Sequence, residues 1–506
     1  MLPPGPRGGW IFGSLFDYKG PKSNLEWTKE YGAIYFVKMG PKNMVYLNSI
    51  DLVKKHMEGK KGEVFLNRPG GPAAIGQGLL FGSGDRWQKN KSAFVKSLNT
   101  KNFTKTMELS IQRELELVVK ELSARCDRSL KIGDVLIVAC ANVIAGLLLG
   151  EPLPVGGEDR KELLGIVNNL ERTDLTSLVS QISLKFPILR APLSRISGRE
   201  IIDIPGTSHR LHALIRKWIK SLDTSGPPAY SEPTTSTDDV KDNTKPMNSS
   251  GDTRTGLLED QWALHEEPLE DNQKSTLQII LEQQEFADAA QKDNELIQSV
   301  TDMFFGGVTS TLSGLEFTLM YLSKHPAIRQ AAQSQLDRAA AAEAHGGQIT
   351  WSMREQLPYL QACIAEGLRL GSVTPSSLPH VAIEDVEVEG YTVPKGTSVM
   401  GSIYSLHRDP NFYTDPEVFK PDRHIDSNGL FQAPESYRPF GIGARRCVGE
   451  VMAEMQLFLY IATILRHFDI TAVDDVAPGD METHMVVVHR LKAFTCLLKQ
   501  RKVTGV

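Results

Sequence analysis

The chain has 506 residues, with 56 Lys or Arg against 61 Asp or Glu and a formal net charge of −5, so nothing in its bulk electrostatics suits nucleic acid. Five cysteines, Cys126, Cys140, Cys363, Cys447 and Cys496, form no paired spacing, which fits a reducing compartment and one functional thiol and excludes a disulfide framework. The length allows up to three domains but suits a large single-domain enzyme equally.

The first element is a proline-rich stretch, Met1-Leu-Pro-Pro-Gly-Pro-Arg7. Two strands, Ala33–Lys38 and Met44–Leu47, flank Gly40-Pro41-Lys42-Asn43 and predict a hairpin. From about Asn102 to Lys220 the periodicity is helical, interrupted at Pro152, Pro154, Pro187 and Pro192. Val135–Leu149 is the longest apolar stretch; it is short for a membrane span and carries Asn142, so a buried core helix is expected. Ser177–Ile196 is apolar with scattered Lys and Arg, and reads equally as a membrane-dipping loop or as a helix pair over the core.

Residues 223–256 are rich in Pro, Ser, Thr and Asp and hold almost no large apolar side chain. Burial there cannot offset the entropy of ordering, so the expectation is a disordered insertion, extending to about Lys274. It divides one catalytic domain into 1–222 and 275–506. Glu295–Lys324 follows as a long helix ended by His325-Pro326, then helices near Ala327–Ala341 and Pro358–Leu370. Strands are expected around Val386–Val388 and Thr397–Ile403, with a turn over Gly390–Thr397 between them. The predicted fold class is mainly α with small β-sheets.

Phe440-Gly-Ile-Gly443-Ala-Arg445-Arg-Cys447-Val-Gly449 carries the chemistry. Its pattern, F-x-x-G-x-R-x-C-x-G, should arise by chance in on the order of one window in ten million at ordinary residue usage. It resembles the haem-ligand loop of the cytochrome P-450 family. An iron-binding thiolate must stay deprotonated, approach a flat macrocycle and be shielded from water. Gly443 is expected to make a tight bend and Gly449 to permit close backbone approach. The helical run Val448–Leu465 places Cys447 at a helix N-terminus, which favours a thiolate. Arg445 would pair with a haem propionate and Phe440 would cover the sulfur.

The resemblance extends from Pro3 to about Arg490 and lapses in 223–274. Glu366-Gly-Leu-Arg369 with Phe419-Lys-Pro421-Asp-Arg423 is similar to the family's structural triad of Glu366, Arg369 and Arg423; His424 stands where an aromatic is common. Trp87-Gln-Lys-Asn-Lys91 is similar to a W-x-x-x-R helix that holds a propionate, with Lys91 lacking the bidentate fork. Pro379-His380 is similar to an element of animal microsomal members whose His reaches a propionate. Ile75 occupies the place of a further propionate Arg, so anchoring is assigned to Trp87, Lys91, His380 and Arg445.

Gly306-Gly307-Val308-Thr309-Ser310-Thr311 departs from the family's A/G-G-x-D/E-T-T/S pattern. The glycines would open a groove for dioxygen; each costs about 1 kcal/mol in a helix relative to Ala. Ser310 replaces the threonine hydroxyl and Thr309 replaces the acid, so proton delivery either uses water ordered by Thr309 and Ser310 or is impaired. Rebuilding the acid as Thr309→Glu should raise coupling. Asp302, Phe305, Gly306, Thr374 and Leu378 are the expected substrate contacts, and Lys89, Lys91, Arg445 and Arg446 the expected basic docking patch.

The resemblance implies haem b (iron protoporphyrin IX), dioxygen, a lipophilic substrate such as a steroid, fatty acid or xenobiotic, and an NADPH-dependent flavoprotein reductase. It also implies a monooxygenase at the cytoplasmic face of the endoplasmic reticulum membrane. In microsomal members a proline-rich hinge follows an anchor helix, yet nothing precedes Met1 here: the anchor was either left out or never present. Two alternatives remain: a haem-thiolate isomerase, dehydratase or peroxide-using enzyme, favoured by Thr309, and a haem-based sensor or electron carrier, disfavoured by the Gly306-Gly307 groove.

Overall fold

The computed structural model describes residues 1–9, 13–14, 17–69, 78–98, 103–150, 153–171, 204–224, 275–283, 289–342, 347–473, 483–485, 488–491 and 494–502. The expected segment over Ser177–Ile196, residue Ile75 and nearly all of the 223–274 insertion lie outside them.

Twelve helices frame the protein among the described residues: α1 Pro21–Tyr31, α2 Ile50–Met57, α3 Gly84–Leu98, α4 Phe103–Ala124, α5 Gly133–Leu149, α6 Glu158–Glu171, α7 Ile204–Thr224, α8 Thr276–Gln283, α9 Ala289–Lys324, α10 Pro326–Ala342, α11 Pro358–Gly371 and α12 Glu450–His467, apart from one-turn segments. The strands are β1 Ile34–Met39, β2 Lys42–Leu47, β3 Ser129–Lys131, β4 His380–Val381, β5 Val386–Val388, β6 Tyr391–Val393, β7 Ser398–Gly401, β8 Phe468–Ala472, β9 Thr483–Met485, β10 His489–Leu491 and β11 Thr495–Gln500. They form sheets ordered β1-β2-β7-β4, β3-β11-β8, β10-β9 and β5-β6. The fold is mainly α, as expected.

Helix α5 explains its own sequence. It is apolar all round because it is buried all round, and its one central polar side chain, Asn142, donates to the Glu114 carboxylate of α4. Arg160 of α6 closes that site on Glu114 at 3.1 Å, so the Asn that argued against a membrane span is a buried interhelical tie. No helix among the described residues is long and apolar enough to cross a membrane. The 36-residue α9 runs along α5, α11 and α12, and would span about 54 Å at 1.5 Å per residue. It ends at His325 because Pro326 cannot continue it, yet suits the first turn of α10.

The sequence reading missed a strand. Residues 390–397 were expected to be a turn, but Tyr391–Val393 pairs antiparallel with Val386–Val388. The turn is Glu389-Gly390, both at positive φ (52° and 80°), the backbone twist that two-residue hairpins require.

Candidate functional site

The loop before α12 is shaped by two left-handed glycines, Gly441 (φ 76°) and Gly443 (φ 70°). Gly443 has a second constraint: a Cβ there would collide with the Met57 carbonyl oxygen at the end of α2. The Cys447 N–H donates to the Phe440 carbonyl at 2.9 Å and closes the loop. Helix α12 starts at Glu450, two residues later than expected, with Gly449 as its N-cap. Among the described residues, no atom lies within 4 Å of where a Cβ at Gly449 or Gly306 would sit, so their packing does not require glycine at either place. Cys447 is exposed while ringed by protein. That crowding pushes its thiol up to about 11, opposed by the Gly449 N–H and the Arg446 charge.

A basic cluster lies beside this loop. The Arg445 guanidinium sits over the Trp87 ring at 3.4 Å and donates to the carbonyls of Leu66 (2.8 Å) and Gly82 (2.6 Å). Its Nη1 is buried without a partner. Trp87 spends its indole N–H on the Leu79 carbonyl at 3.1 Å, so it acts as a platform under Arg445. Lys91 donates to the Ala444 carbonyl and lies 5.3 Å from the Trp87 ring. His380 donates from Nδ1 to the Phe65 carbonyl at 2.7 Å, and burial with the nearby Arg68 and Arg445 charges pushes it down to about 3. Burial, then the Arg68 charge, brings Arg445 down to about 9.

Arg68, which sequence reasoning passed over, lies beside this cluster, with its own bonds directed to backbone carbonyls and Ser83; Asn67-Arg68-Pro69 carried no signal beyond a charge beside a turn residue. The expected docking patch changes accordingly. Arg445 is turned inward, Lys91 is tied to Ala444 and Arg446 pairs with Glu450, which leaves Lys89 and Arg446 as its exposed basic members.

The expected groove in α9 separates into two glycines with different surroundings. Gly306 is exposed midway along a helix whose neighbours Phe304 and Val308 are buried. Gly307 instead packs on α5: a Cβ there would come within 2.9 Å of Ile144 Cδ1. The Thr309 hydroxyl donates to the Phe305 carbonyl at 3.0 Å and the Ser310 hydroxyl to the Gly306 carbonyl. Thr309 and Phe305 line an apolar crevice with Leu163, Ile166, Val167 and Leu211. Asp302 is buried and accepts from the Leu80 N–H (2.9 Å) and from Gln298 (3.0 Å). Burial raises its carboxyl to about 6 against those bonds. Thr374 and Leu378 are half-buried in the segment between α11 and β4, which is fastened to β7 by the Ser377 N–H to the Gly401 carbonyl at 2.8 Å.

Glu366, Arg369 and Arg423 meet. Arg369, wholly buried, donates to both Glu366 oxygens (2.7 and 2.8 Å), and Arg423 donates to Oε1 at 3.1 Å. His424, read only as a departure from an aromatic, is a fourth member: its Nε2 lies 2.9 Å from Glu366 Oε2. Burial would raise Glu366, but the bonds from Arg369, His424 and the Lys420 N–H outweigh it and hold the carboxyl at about 2. Arg369 also reaches the His407 and Pro416 carbonyls, both at 2.7 Å, so its guanidinium is spent within the network.

These residues fit haem b. His380 and Arg445 lie together with no carboxylate among their bonded partners, and the buried Arg445 Nη1 has no acceptor among the described residues where a propionate would provide one; Arg68 beside them spends its guanidinium on backbone carbonyls. Cys447 supplies the thiol in a glycine loop.

The family model for cytochrome P450 matches residues 3–497. Curated relatives agree along nearly their whole length. Cytochrome P450 2C13, male-specific, of Rattus norvegicus is 28% identical over 95% of this chain and 90% of its own. Cytochrome P450 2C8 of Homo sapiens is 26% identical over 94% and 89%. The steroid 17-alpha-hydroxylase/17,20 lyase of Gallus gallus is 27% identical over 97% and 91%.

Proposed function

The chain belongs to the cytochrome P450 family, and from that premise we propose that Cys447 would supply the thiolate that binds its haem b and that Arg445, Lys91 and His380, on the Trp87 platform, would hold the propionates. It is a monooxygenase that inserts one oxygen atom from dioxygen into a lipophilic small molecule. The observation that carries the site reading is the Cys447 loop, closed on Phe440 and abutting the basic cluster through Arg445. Bound there, haem b supplies dioxygen activation, which thiolate ligation favours.

The chain's own part is to bind, orient and deliver protons. Phe305, Gly306, Thr374 and Leu378 form the apolar side of the substrate site, with Asp302 behind them. The Ser310 and Thr309 hydroxyls each donate to a carbonyl one turn back, which leaves their oxygens free to accept from a water. Electrons come from an NADPH-dependent flavoprotein reductase, at the cytoplasmic face of the endoplasmic reticulum membrane. Residues 1–222 and 275–506 make one catalytic domain around the 223–274 insertion.

Labelled dioxygen, NADPH, a flavoprotein reductase and a panel of lipophiles test this reading. One labelled oxygen should enter product as NADPH is consumed. Rearranged product without NADPH would instead establish the isomerase or peroxide-using reading, which the apolar crevice beside Thr309 favours because no carboxylate stands among its described lining residues. Haem reduction without turnover of any lipophile would point to a sensor.

A further inference from the structure

We propose that Arg68 is a positioning residue that fixes two backbone segments beside the cleft and thereby sets which substrates are accepted, an inference that rests on the substrate site proposed above. Arg68 follows a 3-10 turn, Glu63–Phe65, and an isolated bridge at Asn67 that lie against β4 and the residues after it, where the Val381 N–H donates to the Asn67 carbonyl at 2.8 Å and the Ile383 N–H to the Val64 carbonyl at 3.2 Å. Its side chain is 9% exposed. Nε donates to the Leu80 carbonyl at 3.2 Å, and Nη1 to the carbonyls of Leu378 (2.5 Å) and Pro379 (3.0 Å). Its own N–H goes to Ser83 Oγ at 2.9 Å.

One planar guanidinium therefore joins two stretches of chain, around Leu80 and at Leu378-Pro379, that are remote from each other in sequence. Keeping it there is costly: burial brings Arg68 down to about 10, and all of its bonds are to neutral carbonyls and a hydroxyl. The placement distinguishes it from a core brace such as Arg369. The 78–83 loop is also held by Asp302 of α9 at the Leu80 N–H and by Arg445 of the Cys447 loop at the Gly82 carbonyl. Of these three side chains only Arg68 also holds Leu378 and Pro379. The separation between that loop and the Leu378 segment is thus set by the width of a guanidinium. A ligand that touches Leu378 feels Arg68 without meeting it. Lysine keeps the charge but cannot reach three carbonyls in one plane.

Arg68→Ala and Arg68→Lys, each haem-loaded, are titrated optically with imidazole and with the larger 4-phenylimidazole. Amide exchange is followed at residues 79–83 and 380–383. The expected result is imidazole affinity within about twofold of wild type, 4-phenylimidazole weakened by about tenfold or more in both variants, and faster exchange in both segments. Ethylguanidinium should restore part of the loss in Arg68→Ala and none in Arg68→Lys. Equal losses for the two ligands, or none, overturn the proposal, as does unchanged exchange. If Arg68→Ala does not fold, Arg68→Lys decides alone. A wild-type chain without the red-shifted Soret band of a reduced carbon monoxide complex would sink the cofactor reading instead, and the exchange data would still judge Arg68.

Discussion

The Arg445 guanidinium stacks on the indole of Trp87 at 3.4 Å, joining the loop of Cys447 to the first helix after the 78–83 segment. The contact adds cation–π attraction to two charge-assisted hydrogen bonds. Arg445→Lys should keep the charge and lose the stack and the fork. Haem loss to an apoprotein acceptor should accelerate about tenfold or more, corresponding to about 1.4 kcal/mol. An unchanged rate would show that the propionate edge lies elsewhere.

Cys447→Ser should abolish the red-shifted Soret band of the reduced carbon monoxide complex, while the variant remains folded by circular dichroism. Retention of the band would remove Cys447 as the ligand.

Gly306 and Gly307 should respond oppositely to the same substitution. Gly306→Ala meets no atom of the described residues and should stabilise the fold by about 1 kcal/mol through helix propensity, while weakening dioxygen or ligand access. Gly307→Ala meets Ile144 and should destabilise by about 1–3 kcal/mol from overpacking, partly relieved by Ile144→Val. Thermal unfolding of wild type, Gly306→Ala, Gly307→Ala, Ile144→Val and the Gly307→Ala/Ile144→Val double mutant measures both effects, the last three with wild type forming a double-mutant cycle.

Glu366 illustrates a carboxyl held down in the folded state, at about 2 against 4.5. Its contribution to stability is fully present above 4.5 and is lost as pH falls through about 2. Asp302 has the opposite sign: raised from 3.8 to about 6, it stabilises below 3.8, and that contribution is lost as pH rises through 6. Unfolding temperatures between pH 3 and 7 should therefore show a component that falls with rising pH in wild type and vanishes in Asp302→Asn. At neutral pH, Glu366→Ala should cost about 3–5 kcal/mol, because it leaves buried cations unpaired. His424→Phe should cost about 1 kcal/mol, because three donors to Glu366 remain.

Thr309→Glu now carries a structural cost that sequence alone did not reveal. The crevice around Thr309 is lined by Leu163, Ile166, Val167 and Leu211, with no cation among the described lining residues. The carboxylate should lower stability by about 2–4 kcal/mol, and its coupling benefit should be measured as product formed per NADPH consumed. Stability equal to wild type would mean that the crevice supplies a partner.

The Cys447 loop, the long helix and the Glu366–Arg369–Arg423 meeting were legible because fixed spacings and helical periodicity express them locally. Arg68 and His424 were not, because Arg68 bonds backbone carbonyls, two of them more than three hundred residues away, and His424 joins a carboxylate 58 residues away, and neither spacing leaves a local pattern. Helix propensity likewise could not tell Gly306 from Gly307: only the approach of Ile144 separates them. The β5–β6 hairpin was missed because its turn, Glu389-Gly390, begins with a residue rarely found at positive φ.

Strand β2 pairs in parallel with β7, Met44 opposite Ser398 and Leu47 opposite Gly401. On the ribosome, the N-terminal hairpin is made long before its neighbour exists. At about 5–20 residues per second, its open edge waits roughly 20–70 seconds for the complementary strand. Loop closure over that separation is slow, and an unpaired edge is a template for strangers. Production of this protein should therefore depend on holdase chaperones more steeply than its final stability suggests, and a deletion that removes β7 should aggregate through the hairpin.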